Sequence, residues 1–378
     1  MATIWFKSRH SPDRRGREQF RSRPLLRVRP NVAGPVPRLL ASLARMTSPL
    51  ARLRKLARET PLRGLGNFVS EELSSPVRFS RPDLLLRGYV SNRRWLYDAV
   101  PRTRDGYVSD RTYARAVERI DQRAINADFV DKVRFAEVLE AGGFGDRTPR
   151  ILGVKRGGRF APLREHQGGR VIFKPVGGHA GQGVGLRESL DEAVRDSPDQ
   201  GAFLLQEEVR AHASVRELFP GSLNTLRVHA YRPQVGGPSR VVVTVQRIGR
   251  AATAPVDSFS RGGLVARVQP DATLTAAVAP ITDRRRQEHT RHPDTGAQIE
   301  GRTVPRYQEA VALVLAAMDL WPRARWVGWD IAIGEDGPLI IEGNTNWPSI
   351  RLLQAHGPLA ADPDVRRFLE EQGAIRGR

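Results

Sequence analysis

Trp326-Val-Gly-Trp-Asp330-Ile-Ala-Ile-Gly-Glu-Asp-Gly-Pro-Leu-Ile-Ile-Glu342-Gly-Asn344-Thr-Asn-Trp347 is the stretch that decides the fold. Two apolar runs flank Glu335-Asp336-Gly337, a turn signal, so the spacing predicts two antiparallel strands joined by a tight loop. A loop centred on Asp336 sets Asp330 opposite Glu342 to within one residue, and such cross-strand pairs hold their Cβ atoms roughly 4.5–5.5 Å apart. Asn344, two residues on, shares their face. Two carboxylates and an amide oxygen make a hard oxygen site suited to magnesium, which favours carboxylates together with phosphate oxygens. The competing reading is a pair of acids on a solvated strand.

Upstream, Val171-Ile-Phe-Lys174-Pro-Val-Gly177-Gly178-His179-Ala-Gly181-Gln-Gly183-Val-Gly185-Leu186 reads as a strand ending in a lysine and a glycine-rich loop. Glycine lets a backbone approach a ligand closely and turn its N–H groups toward phosphate oxygens. Lys174 at the strand end adds a point charge for the same phosphates. No Gly-Lys-Ser/Thr closes the loop, so it is not a Walker A motif, and no dinucleotide fingerprint is visible. A plain hairpin loop is the alternative.

Lys174 with its loop, then Phe203-Leu-Leu-Gln206-Glu207-Glu208-Val209, then Asn224-Thr225-Leu226-Arg227-Val228, then Asp330, Glu342 and Asn344 follow the order of the ATP-grasp superfamily. The chain resembles it from about Ala127 to about Leu352, well over half of its length. In finer detail it is similar to the sugar-transfer-associated ATP-grasp family. The segments that carry this likeness are Leu223-Asn-Thr-Leu-Arg-Val, Val256-Asp-Ser-Phe-Ser-Arg-Gly-Gly263-Leu, His292-Pro-Asp-Thr-Gly296 and Gly328-Trp-Asp330. Ser258 departs from the pattern, which has Asn after Asp257.

The resemblance implies an α+β ATP-grasp fold, two α+β lobes gripping ATP, with ATP and Mg²⁺ as cofactors. It assigns phosphate contacts to Lys132, Lys174, Gly177, Gly178, Gly181 and Gly183, and adenine contacts to Gln206 and the backbone of Glu207 and Val209. His212 is either a ribose contact or an ordinary surface histidine. Magnesium falls to Asp330, Glu342 and Asn344, and a substrate loop to Asn224, Thr225, Asp257, Gly262 and Gly263. Locally, Asp128 to Gly143 has an N-cap candidate, apolar residues at helical spacing and a glycine stop, with Lys132 in its first turns, off the apolar face.

Arg227 and Arg247 lie in two β-rich runs, Thr225–Tyr231 and Val241–Ile248, around Gly236-Gly237. A hairpin about that turn brings the two arginines nearly opposite each other on one face. Facing like charges destabilise a strand pair. An anion is therefore their expected partner, a transferred phosphoryl group or a substrate carboxylate, which makes them the candidate catalytic residues. The bland reading is two solvent-facing arginines. His229 and His292 carry no expected role.

The chain has 378 residues, 40% hydrophobic, enough for two or three lobes, and no cysteine, which excludes disulfides and cysteine catalysis. No apolar run approaches the ~20 residues needed to cross a bilayer. No signal peptide is evident, and the expected location is the cytoplasm. The net charge is +20, and residues 1–65 hold 16 Lys/Arg against 3 Asp/Glu. Within this basic, partly disordered extension, Leu39–Leu56 has leucines and Met46 every three or four positions among arginines, interrupted at Pro49. The alternatives for that amphipathic helix are packing on the catalytic body, a peripheral contact at the inner face of the membrane, or a contact with an anionic polymer. Met46 leaves a downstream start open.

The expected organisation is this extension, then a mixed segment 66–126, a nucleotide lobe 127–213, a larger lobe 214–352 with the magnesium hairpin and a helix Pro305–Leu320, and a polar tail 353–378 with one short helix. The expected function is an ATP-dependent carboxylate–amine ligase working through an acyl phosphate, which the resemblance sets in polysaccharide or amino-sugar metabolism. The alternative is a phosphotransferase acting on a hydroxyl. A nucleic-acid-binding protein is the remote alternative, since the basic residues concentrate in the extension and lack recognition-motif spacing.

Overall fold

In the computed structural model, the described residues are 63–97, 106–120, 123–177, 183–345, 350–373 and 375, all within the compact unit Leu53–Arg378. The Leu39–Leu56 helix and nearly all of the basic extension lie outside them.

Alternating and apolar runs become two antiparallel sheets. The smaller contains β1 (Ile151–Arg156), β2 (Arg159–Pro162), β3 (Val171–Pro175), β4 (Gly185–Arg187) and β5 (Ala202–Glu207), in the order β2-β1-β5-β3-β4. The larger contains β6 (Leu226–Tyr231), β7 (Arg240–Ile248), β8 (Leu264–Arg267), β9 (Ala277–Val278), β10 (Glu288–His289), β11 (Trp326–Ile333) and β12 (Pro338–Asn344), in the order β10-β9-β8-β7-β6-β11-β12. Helices interleave with these strands, which gives the α+β class expected.

Every residue of β11 is buried, so this strand is covered on both faces. On one face Val327, Trp329, Ile331 and Ile333 join the main core with Ala310, Val314, Ala317 and Met318 of the helix Tyr307–Met318. Phe129, Phe135, Trp321 and Trp329 interlock there with ring centroids 4.7–6.1 Å apart, and such aromatic pairs add about 0.5–1.5 kcal/mol each beyond burial.

The opposite face is charged at Asp330 and apolar at Trp326. Its apolar part is covered by the segment that sequence patterning could not place. Tyr89, Leu96, Tyr97 and Tyr107 pack on Val245, Val265 and Val278, while Tyr113 packs on Tyr231 and Trp326. That cover is pinned internally by Arg93, fully buried, which donates to Asp110 at 2.6 Å and pairs with Glu71 at 2.9 Å. The C-terminal helix Pro363–Glu371 is no loose polar tail, because Val365, Phe368 and Leu369 complete the same layer. Among the described residues no helix is long and apolar enough to cross a membrane.

The helix expected from Asp128 is two helices, Arg123–Val130 and Lys132–Leu139, broken at Asp131. Asp131 is the N-cap, accepting from the N–H groups of Val133 and Arg134, whereas Asp128 accepts from Trp321 Nε1 at 3.0 Å. The break seats Lys132 at the helix start, its N–H on the Val176 carbonyl.

Candidate active site

The hairpin register sets the centre of the site. Gly328 pairs with Asn344 and Asp330 with Glu342; a bulge follows between Asp330 and Ile331, so the turn-centred count holds on the open side of the hairpin, where the acids sit. Gly343 turns to the other face, where an added Cβ would meet the Phe129 ring at 2.5 Å. The aromatic core can therefore press directly against the strand that presents Glu342 and Asn344.

Asp330 is buried, and its carboxylate is enclosed by cations. Arg227 donates to it through both Nε and Nη2, the latter at 2.9 Å, and Arg247 Nη1 donates at 2.8 Å. Burial pushes the Asp330 carboxyl up, but Arg227 and then Arg247 outweigh it and hold the group below the usual carboxylate range. Glu342 goes the other way, raised first by burial and then by the Asp330 charge. The two carboxyls face each other across the strand pair, and their shifts run in opposite directions. Asn344 Nδ2 donates to Glu342 Oε1 at 3.3 Å.

The arginines are on one face as expected, yet offset. Arg227 pairs with Val245, and the Arg247 N–H bonds the Thr225 carbonyl, so Arg247 sits two residues along from the position that faces Arg227. Their partners in the structure are internal carboxylates, Asp330 for both and Asp257 for Arg247, in place of the external anion that the sequence suggested.

The expected substrate loop separates into two groups. Asn224 is buried with φ 52 and has its amide saturated: Nδ2 donates to the carbonyls of Val215 (3.2 Å) and Phe219 (2.8 Å), and Oδ1 accepts from Gly249 N–H and Ser222 Oγ. It is a loop clamp, not a ligand group. Asp257 accepts from Thr225 N–H at 2.6 Å, from Thr225 Oγ1 at 2.8 Å and from Arg247, so it positions that arginine. Gly262 has φ 114, and a Cβ on Gly263 would press on three backbone oxygens at 3.0–3.1 Å; both glycines shape the turn that carries Asp257. His292 clamps the neighbouring loop, with Nε2 on Gly249 O and Nδ1 accepting from the N–H groups of Asp294 and Thr295.

Facing this block, the small sheet contributes Lys174, Gln206 and Val209 to a cavity of about 150 Å³ shared with Lys132, Thr225, Arg247, Asp257, Asp330 and Glu342. Burial first, and the Lys132 charge second, pull the Lys174 ammonium down to about 8, with Glu342 and Asp330 opposing. The Glu207 N–H is taken by Arg150 O and the Glu208 N–H by Arg170 O. His212 lies elsewhere: its Nδ1 caps the helix Ala213–Arg216 by accepting from Ser214 N–H. Gly183 has φ 71 and Gly177 borders the loop, while Gly178 and Gly181 lie outside the described residues.

Cavities of about 530 and 450 Å³ lie beside the helix Lys132–Leu139 and at the hinge. Charged groups lining them already pair with one another, Arg164 with Glu140 at 2.6 Å and Arg150 with Glu207 at 3.2 Å. Volume alone does not mark the chemistry; converging charge does.

A divalent cation fits the acidic end of the smaller cleft. Two buried carboxyls that face each other across a strand pair repel each other when both ionise, and a cation between them removes that conflict. Among the described residues no cluster of three or more His, Cys, Asp and Glu side chains suits a metal. The pair thus needs the Asn344 amide and a ligand's oxygens to complete a shell, the manner in which magnesium is usually held. Sequence reasoning missed Gly328 as a feature in its own right. A glycine inside a run of large strand residues is itself a sign of close approach.

Residues 192–359 match the sugar-transfer associated ATP-grasp family. The sequence matches no curated protein. Among solved structures it is similar to the ATP-grasp ligase PsnB complexed with minimal precursor, at 17% identity over 66% of this chain and 62% of that one, with a TM-score of 0.36. It is also similar to N5-carboxyaminoimidazole ribonucleotide synthetase from Thermotoga maritima, at 12% identity over 62% and 50%, TM-score 0.33. A third is D-alanine–D-alanine ligase from Bacillus anthracis complexed with ATP, at 13% identity over 65% and 65%, TM-score 0.34. The chain spans less than two thirds of the length of each. The family match runs across the larger sheet, with its carboxylate-bearing hairpin, and places residues 192–359 of the chain in the ATP-grasp superfamily.

Proposed function

We propose that the chain is an ATP- and magnesium-dependent carboxylate–amine ligase that works through an acyl phosphate. The observation that carries this reading is the Asp330–Glu342 pair, set by strand register opposite Lys174 and flanked by Arg227 and Arg247.

Lys174 and Lys132 hold the nucleotide's phosphates, and the hinge at Glu207 and Val209 receives its adenine. Magnesium on Asp330, Glu342 and Asn344 supplies charge neutralisation on the phosphate oxygens. Arg227 and Arg247, preorganised beside Asp330, meet the charge that develops on the phosphoryl group in transfer. Asp257 keeps Arg247 aimed and Thr225 in place. A substrate carboxylate oxygen attacks the γ-phosphorus and ADP leaves. An amine then attacks the acyl carbon and orthophosphate leaves, giving an amide. The resemblance to the sugar-transfer family favours a setting in polysaccharide or amino-sugar metabolism.

A nucleotide-consumption screen over amino acids and amino sugars, with product mass read directly, tests the reading. Orthophosphate release that requires both an acid and an amine is expected. A phosphorylated hydroxyl product with no amine requirement would assign a phosphotransferase instead.

A further inference from the structure

The cleft between the sheets has one wall to which the ligase reading gives no contact. Arg247 divides the cleft: Nη1 reaches Asp330 on the side of the magnesium acids, and Nη2 reaches Asp257 on the other. Around Asp257 the cavity is lined by Leu223, Pro255, Val256 and Ser258. Three of these are apolar side chains. Ser258 is 7% exposed, and its Oγ shares one hydrogen bond, at 3.0 Å, with the hydroxyl of the exposed Ser260.

The polar groups around that hydroxyl are already engaged. Asp257 Oδ2 accepts from the N–H and the hydroxyl of Thr225, and Oδ1 accepts from Arg247. The Asp257 carbonyl faces Arg247 Nε at 3.5 Å, and the Ser258 carbonyl accepts from the N–H groups of Arg261 and Gly263 at 3.0 Å each. The Val256 N–H is on the Thr253 carbonyl, and Pro255 has no N–H. A hydroxyl donates one hydrogen bond and accepts two, so Ser258 Oγ keeps capacity for a ligand.

Such a wall selects by charge. Arg247 already matches Asp257 and Asp330, so an ammonium or a second carboxylate set here would lose its water and meet no unmatched opposite charge among the described residues. A ligand hydroxyl loses little, because Ser258 either donates to it or accepts from it.

We propose that the acid this protein activates is a hydroxy acid with no charge besides its carboxylate, its hydroxyl bonded to Ser258 Oγ and its carbon chain against Leu223, Pro255 and Val256. The proposal rests on the ligase reading above and narrows its acid to one chemical class.

The test uses full-length protein with ATP, magnesium and hydroxylamine, whose nitrogen attacks the acyl carbon as orthophosphate leaves, and reads hydroxamate and ADP. The acids are three- and four-carbon carboxylates in matched sets that carry a hydroxyl, an ammonium or a hydrogen on the second or third carbon; lactate, alanine and propionate form one set. In a set that is used, kcat/KM for the hydroxy acid should exceed that for the unsubstituted acid about tenfold, the effect of one hydrogen bond. It should exceed that for the amino acid by about a hundredfold or more. Ser258→Ala should bring hydroxy and unsubstituted acids within about twofold of each other, with KM for ATP also within about twofold of the parent. Ser258→Thr, which keeps the hydroxyl, should retain the preference. Hydroxamate formed as readily from amino acids as from hydroxy acids overturns the proposal and leaves the ligase reading standing. So does a hydroxy-acid preference that survives in Ser258→Ala. If no set yields hydroxamate, the broader nucleotide-consumption screen judges the ligase reading, and the wall is judged by binding alone. Lactate and 3-hydroxybutyrate are then titrated, by ligand NMR, into protein holding magnesium and a non-hydrolysable ATP analogue. Saturable binding that Ser258→Ala weakens about tenfold supports the contact. No binding, or equal binding to both proteins, overturns it.

Discussion

The two sheets hold their charges in opposite ways. On the large sheet, Arg227, Arg247, Asp330, Asp257 and Thr225 bond to one another in a closed buried network. On the small sheet, Lys174 is buried, its ammonium drawn down to about 8, with Glu342 and Asp330 across the cleft opposing the loss of its charge. A network of buried ion pairs is rigid, and removing one member strands the others. A lone buried lysine is conditional: its charge depends on what faces it. The large sheet is therefore the preorganised half of the site, and the small sheet is the half that responds.

The largest expected effect separates the two acids. Glu342→Gln and Asp330→Asn should each lower kcat by roughly 10²–10³-fold or more, since each takes a ligand charge away from the proposed magnesium site. Their stabilities should diverge. Asp330→Asn leaves the Arg227 guanidinium without its carboxylate and takes one of two from Arg247, and should cost about 3–5 kcal/mol in denaturant unfolding. Burial and then the Asp330 charge both disfavour an ionised Glu342, so Glu342→Gln gives up little and should stay within about 1 kcal/mol of the parent. Equal destabilisation by the two variants would break the contrast between a closed network and an adjoining acid.

Next come one residue from each sheet. Arg247→Ala should lower kcat by about 10²-fold with affinity for a non-hydrolysable ATP analogue nearly unchanged, because it meets charge that develops in transfer. Lys174→Ala should weaken that affinity by about tenfold or more, as the loss of a charge-assisted contact requires. Calorimetry and steady-state kinetics on the same preparations decide it. A kcat-only effect for Lys174→Ala removes that residue from ground-state phosphate binding.

The pairing of Asp330 with Glu342 was legible because a turn centre and a two-residue side-chain period fix which residues face each other. The likeness of Asn224 to a substrate residue was misleading, since its partners are the Val215, Phe219 and Gly249 backbones, which only the folded loops bring together. The arginines' face was readable, but their partners were not. The loop between β6 and β7 sets Arg227 opposite Val245 and not opposite Arg247, and Asp330 comes from a strand about 100 positions further on. Of the two aspartates at the start of that helical stretch, Asp131 is the N-cap, while Asp128 accepts from Trp321, a partner nearly 200 positions away. Local chemistry set the register and the turns; distant partners decided which polar residues were left over for a ligand.

A smaller effect is expected with pH. Lys174 is lowered to about 8 from an unfolded value near 10.4, so the free protein loses this charge as pH rises through about 8. A bound phosphate favours the ammonium, so binding takes up a proton there. Affinity for the analogue without magnesium should therefore fall by up to about tenfold per unit above that point and be flat below it. Lys174→Arg, always charged, should flatten the curve. Calorimetry in two buffers of different ionisation enthalpy counts the proton directly, and no uptake near pH 8.5 contradicts the assignment. Least of all should deletion of residues 1–38 change analogue affinity, because every proposed nucleotide contact lies at or after Lys132; a weakened complex would bring the extension into the site.

The central claim is that strand register builds one magnesium-assisted phosphate site from Asp330, Glu342 and Asn344 opposite Lys174. Calorimetric titration of a non-hydrolysable ATP analogue, with and without magnesium, on the parent and on Glu342→Gln tests it most directly. The account predicts that magnesium tightens binding to the parent by at least about tenfold, and that Glu342→Gln loses this gain while keeping its fold. Equal magnesium enhancement in both proteins would contradict it.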